Sequence, residues 1–89
     1  MKRTEVIDTA RDYITKDRAA THGNAENSFA LMAQMWSAYL GVKVEAHDVA
    51  ALMVIFKIAR FRSNPTYEDN SIDAVGYSAL MGELATDGT

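Results

Sequence analysis

Lys57 and Arg60 close a run of eight residues, Val49 to Phe56, that carries no polar side chain. Three positions apart on a helix, the two cations share one face beside the core instead of scattering over a solvated surface. Two cations held there invite an anion, either a carboxylate of the same chain or a phosphate of a ligand. The internal competitors lie further on, where Asp69 or Asn70, Asp73 and Tyr77 fall at steps of three and four and form one polar edge near a helix start. A helical hairpin joined by a loop at 63–69 brings that edge close to Lys57 and Arg60. One outcome is an ion-pair network, Arg60 with Asp73 and Lys57 with Asp69. The other is a cationic site left open for a ligand.

A second donor-rich stretch lies at 15–24. Lys16, Arg18 and His22 stand within seven residues, followed by Gly23 and Asn24. Arg18 supplies a planar bidentate donor, Lys16 a point charge, His22 a ring for stacking or donation, and the next helix its N-terminal amides, which together suit a phosphate or nucleotide. A solvated loop with Arg18 paired to a carboxylate and Asn24 capping a helix is the structural alternative.

Metal chemistry has weaker grounds. Glu45 and Asp48 are three apart, and Asp69 and Asp73 could add oxygen ligands for magnesium, but a helix boundary accounts for the first two as caps. His22 and His47 lack a zinc-binding spacing. No serine sits in a nucleophile elbow and no glycine-rich phosphate loop is present.

Four helices must position these groups. Thr4 caps the first, with Val6, Ile7, Ala10, Tyr13 and Ile14 repeating at helical steps over 5–15. The second spans 25–40, from an Asn24 cap to Gly41, with Phe29, Met32, Ala33, Trp36 and Leu40 on one stripe. Val42 and Val44 lie on the core in an extended connector. The third runs over 46–62, and Ser63-Asn64-Pro65 ends it. Apolar all round, it is expected at the centre with neighbours on most sides. Asn70-Ser71-Ile72-Asp73 reads as an N-cap signature for a fourth helix over 71–85, burying Ile72, Val75, Ala79 and Leu80, with Gly76 admitting a neighbouring backbone. Met32, Met35, Met53 and Met81 read as core filling. The expectation is one all-α, four-helix domain over residues 1–89.

Eighty-nine residues allow one modest core, near the size where a second subunit often completes the burial, so a homo-oligomer is expected. A formal net charge of −3 argues against non-specific coating of nucleic acid. With no cysteine there can be neither a disulfide nor a thiolate nucleophile, and no run reaches the ~18 apolar residues of a membrane span. No membrane partner is expected, and the cytoplasm is the expected compartment.

The chain resembles a family of small, functionally uncharacterised proteins of tailed phages and prophages. The resemblance rests on Asp17-Arg18, Gly23 and Asn27-Ser28-Phe29; on Trp36 through Gly41; on Asp48-Val49-Ala50 through Lys57-Ile58-Ala59-Arg60; and on Asp69-Asn70 with Asp73, Gly76 and Tyr77. It departs from the family pattern at Lys16 and His22, where glycine and tyrosine are usual. The arrangement is also distantly similar to MazG-type all-α nucleoside triphosphate pyrophosphatases, which hold magnesium with paired glutamates and an aspartate, although the Glu-x-x-Glu half of that motif is missing here. The family resemblance implies a phage origin; the cationic residues at the core margin, together with the donor-rich loop, point to an accessory protein that binds a phosphate-bearing small molecule, a nucleotide by preference, and could sequester a host defence signal. The ligand set is then Lys16, Arg18, His22, Asn24, Lys57, Arg60, Asp69, Asn70, Asp73 and Tyr77, with no cofactor. A degenerate magnesium-dependent pyrophosphatase using Asp48, Asp69 and Asp73 is one alternative. An inhibitor of a host protein, acting through Trp36, Tyr39 or Tyr67, is the other.

Overall fold

The computed structural model describes residues 1–17 and 25–86, in four α-helices: α1 (Arg3–Asp12), α2 (Ala25–Leu40), α3 (Ala46–Ser63) and α4 (Glu68–Thr86). No strand occurs among the described residues, so the expected all-α, four-helix class holds. The π-helical turn Tyr13–Asp17 extends α1, with the Thr15 hydroxyl donating to the Arg11 carbonyl. Helix α1 starts earlier than its periodicity suggested. Lys2, in extended backbone, precedes it and its N–H donates to the Glu5 carboxylate at 3.1 Å, so Glu5, and not a Thr4 cap, closes the helix start.

Helices α3 and α4 form the central antiparallel pair, since Val49 and Ala50 at the start of α3 cluster with Leu80 and Leu84 at the end of α4. Helix α2 packs on α3 and adds Phe29 and Ala33 to that cluster; α1 packs on α4. Gly76 is the contact point for the π-turn: a Cβ there would meet the Ile14 side chain at 3.0 Å, so the close approach is a side chain and not the backbone expected. Gly41 follows α2 at φ +73°, the left-handed conformation that ends helices, and its N–H donates to the Ser37 carbonyl. The Ser37 hydroxyl then brackets Val44, accepting from its N–H at 2.8 Å and donating to its carbonyl at 3.2 Å. Val44 consequently reaches the core, whereas Val42 is exposed.

Three expectations about burial fail. Among the described residues helix α3 is covered mainly by α2 and α4 and is not surrounded. Leu52, Ile55, Phe56, Ile58 and Phe61 remain exposed. On α4, Ile72 and Leu80 are buried as expected, but Val75 and Ala79 face outward. Met32 and Met81 pack on the core while Met35 does not. Among the described residues eight apolar residues are buried and fifteen large ones are exposed, a thin core for this many apolar side chains. Phe29, 2% exposed, is its largest fully enclosed member. Phe29→Ala is expected to lower stability by about 3–5 kcal/mol, and Leu31→Ala on the open side of α2 by less than about 0.5 kcal/mol, both read from urea denaturation midpoints.

Candidate functional site at the α3–α4 corner

The turn between α3 and α4 is set by Pro65. The Tyr67 N–H donates to the Asn64 carbonyl at 3.2 Å, closing a four-residue turn with proline in its second position. Helix α4 then begins at Glu68, three residues before the predicted start, with Glu68 and Asp69 in its first turn where the helix dipole favours carboxylates. Asn70 is therefore not the cap. It lies inside the helix, its N–H donating to the Tyr67 carbonyl, and the residue is 3% exposed.

The hairpin brings Lys57 and Asp73 together at 2.8 Å, with side chains 14% and 29% exposed. This differs from both predicted pairs. Lys57 takes the partner assigned to Arg60, and Asp69 instead accepts a hydrogen bond from the Tyr67 hydroxyl at 3.1 Å. That carboxylate holds the Tyr67 phenol above its ordinary value of 10.0, first through the hydrogen bond and then through its charge. Arg60 makes no ion pair with any described residue. Its guanidinium instead lies over the Phe56 ring, 4.8 Å from the centroid.

Arg60 borders an open cleft of about 450 Å³ lined by Phe56, Ala59, Arg60, Ser63, Asn64, Tyr67 and Asn70. The Asn70 side chain forms no hydrogen bond with another described residue, although burying an amide without partners is costly. A guanidinium, two aromatic rings and a buried amide thus converge on one surface. A second, roomier cleft between α2 and the α2–α3 connector is already satisfied internally: Lys43 pairs with Glu45 at 3.7 Å and Ser37 is bound to Val44.

Of the sequence-derived set, Lys57, Arg60, Asp69, Asn70 and Asp73 gather at this corner. Tyr77 does not line the cleft; it packs on the core, its ring 6.2 Å from that of Phe29. Lys16 belongs to the π-turn extending α1, not to a loop, and pairs with Asp12 at 3.5 Å. Arg18, His22 and Asn24 lie outside the described residues. Asp48 accepts from the Glu45 N–H at 2.9 Å at the start of α3, in a helix-starting role. Lys57 stands nine residues after Asp48, about 14 Å along the helix at 1.5 Å per residue. Asp73, held by Lys57, therefore does not converge with Asp48, as a three-aspartate magnesium site would need. No group of three or more His, Asp or Glu among the described residues is placed to hold a metal ion. Sequence reading missed Phe56 and Asn64 as lining residues. The four-residue step from Phe56 to Arg60 and the proline turn are the signals that point to them.

Fold and corner together define a small all-α domain with a mostly apolar, aromatic-walled cleft bordered by Arg60 and Asn70 at one helical hairpin. The chain belongs to the family described as a domain of unknown function, DUF6378, whose model matches residues 5–85. It is 34% identical over 80 residues to the Gene 55 protein of Mycobacterium phage L5, covering 89% of this chain and 51% of that protein. It is also 30% identical over 79 residues to the Gene 55 protein of Mycobacterium phage D29, covering 89% and 52%. The chain thus spans about half the length of these curated relatives, and its phage affiliation stands. No solved structure matches it. No helix among the described residues is long and apolar enough to cross a membrane.

Two outcomes follow from the corner. Lys57→Ala and Asp73→Ala are each expected to cost about 1–3 kcal/mol, with the double variant losing less than their sum because the pair is shared; denaturant titration of the four proteins reads this. Asp69→Asn removes the carboxylate that disfavours the phenolate, so Tyr67 should ionise at lower pH in a spectrophotometric titration of phenolate absorbance.

Proposed function

We infer that this is a phage accessory domain that binds a small phosphate-bearing ligand with a planar ring, a nucleotide by preference, at the α3–α4 corner. The observation that carries this reading is Arg60, without a carboxylate partner among the described residues, beside the buried Asn70 amide, which has no hydrogen-bond partner among them either, in one cleft. Arg60 offers a planar, permanently charged donor suited to phosphate oxygens. Phe56 and Tyr67 offer ring faces, and the Asn70 amide a donor and an acceptor for reading a base edge or an exocyclic group. Lys57, already neutralised by Asp73, supports the site by holding the hairpin.

The reading differs from the sequence-derived one in its residues: Phe56, Arg60, Tyr67 and Asn70 carry it, while Lys57 and Asp73 hold the scaffold. Catalysis has no part in it and no cofactor is required. Sequestering a nucleotide signal inside the host cell would be one use for such a domain. A second reading, the inhibitor of a host protein, is favoured by Tyr39, which is 90% exposed on the same side of α2 as Leu31 and Met35.

Calorimetric titration with mononucleotides, dinucleotides and inorganic phosphate tests the first reading. Nucleotide binding is expected, weakened about 10–100-fold in Arg60→Ala, the loss of one charge-assisted contact. Lys57→Ala should retain binding at temperatures where it is folded. No heat from any nucleotide, or equal affinity in Arg60→Ala, contradicts it.

A further inference from the structure

The open side of α3 has an order that solvent exposure alone does not require. Asp48, Ile55 and Arg62 are spaced by seven residues and fall on one line of the helix, flanked by Ala51 and Leu52 on one side of Ile55 and by Ile58 and Ala59 on the other. Leu52, Ile55 and Ile58 are 42%, 61% and 57% exposed. This is a heptad seam of apolar residues with a carboxylate at its first end and a guanidinium at its last. Arg62 makes no ion pair with any described residue, and Asp48, already engaged at the helix start and 3.6 Å from His47, still has a half-exposed side chain.

We propose that α3 pairs with α3 of a second copy of this chain, antiparallel, about a two-fold axis passing beside Ile55. The charges select both partner and direction. With Ile55 on the axis, residue numbers facing each other sum to 110, so Leu52 of one copy meets Ile58 of the other, Ala51 meets Ala59, and Asp48 meets Arg62 at both ends. A parallel pair would set Asp48 against Asp48 and Arg62 against Arg62. The seam is thus self-complementary, and it covers the side of α3 that α2 and α4 leave open. The seam and the cleft meet at Ala59, but the large seam residues Leu52, Ile55 and Ile58 do not line the cleft, and the inference does not require a ligand there.

The chain contains no cysteine, so single cysteines report on proximity without background. Under mild oxidant, Ile55→Cys is expected to form a covalent dimer nearly completely, because the residue faces its own copy on the axis. Leu52→Cys mixed with Ile58→Cys should cross-link more than either alone, and Tyr39→Cys should remain uncross-linked. In sedimentation equilibrium the unmodified protein should run at twice 9.8 kDa, and Ile55→Glu should raise the dissociation constant roughly thirtyfold or more. Its helical circular dichroism should be unchanged, since Ile55 lies outside the core. A monomer at every concentration overturns the proposal and leaves the seam to another chain or segment. A dimer that cross-links through Tyr39→Cys and not through Ile55→Cys overturns it as well.

Discussion

The contact between Lys57 and Asp73 sets the register of the central hairpin and, with it, the character of the candidate site. At 2.8 Å, with both side chains mostly withdrawn from water, it lies between an exposed pair, which contributes little, and a buried one, whose loss strands a charge. Its position along the helices matters more than its strength. The pair and the apolar cluster of Val49, Ala50, Leu80 and Leu84 fix α3 and α4 at two levels, so the helices can neither slide nor rotate without losing one of them.

Arg60 is one turn beyond Lys57 on α3, where the carboxylates of α4 are already engaged: Asp73 by Lys57, Asp69 by the Tyr67 hydroxyl. The guanidinium rests on Phe56 instead and faces the cleft. Asn70 reaches that cleft because α4 starts early, which moves this residue from a solvated cap position into the interior of a helix turn. A cation and an amide that find no partner among the described residues are costly when isolated and useful when a ligand supplies what they lack. Their adjacency is what makes the corner a candidate site.

Much of this was legible in the sequence, and the exceptions have physical causes. Gly41 and Pro65 punctuate the chain strongly, so the limits of α2 and α3 follow from local chemistry. That Lys57 would meet a carboxylate of the next helix followed from helical spacing, but its choice of Asp73, and an Arg60 left without an ion pair among the described residues, did not. The axial offset of two helices is decided by packing among distant residues such as Val49 and Leu80. Asn70 resembled a cap because Asp73 follows at the capping-box distance, yet Glu68 and Asp69 were already available to start the helix. The apolar run of α3 predicts complete enclosure, whereas one side of the helix is open. The same composition suits a helix enclosed on two sides by its own chain and on a third by another.

The chain spans about half the length of its phage relatives, so what those whole proteins do is not carried over to it. The central claim is that Lys57 is consumed by the fold while Arg60 and Asn70 are left for a ligand. Side-chain nitrogen NMR during nucleotide addition tests it most directly. The account predicts that the Arg60 Nε–H and the Asn70 side-chain amide signals move with a common saturation curve, while the Lys57 ammonium signal stays where it is. Shifts at Lys57 without shifts at Arg60 and Asn70, or no side-chain response at this corner, would contradict it.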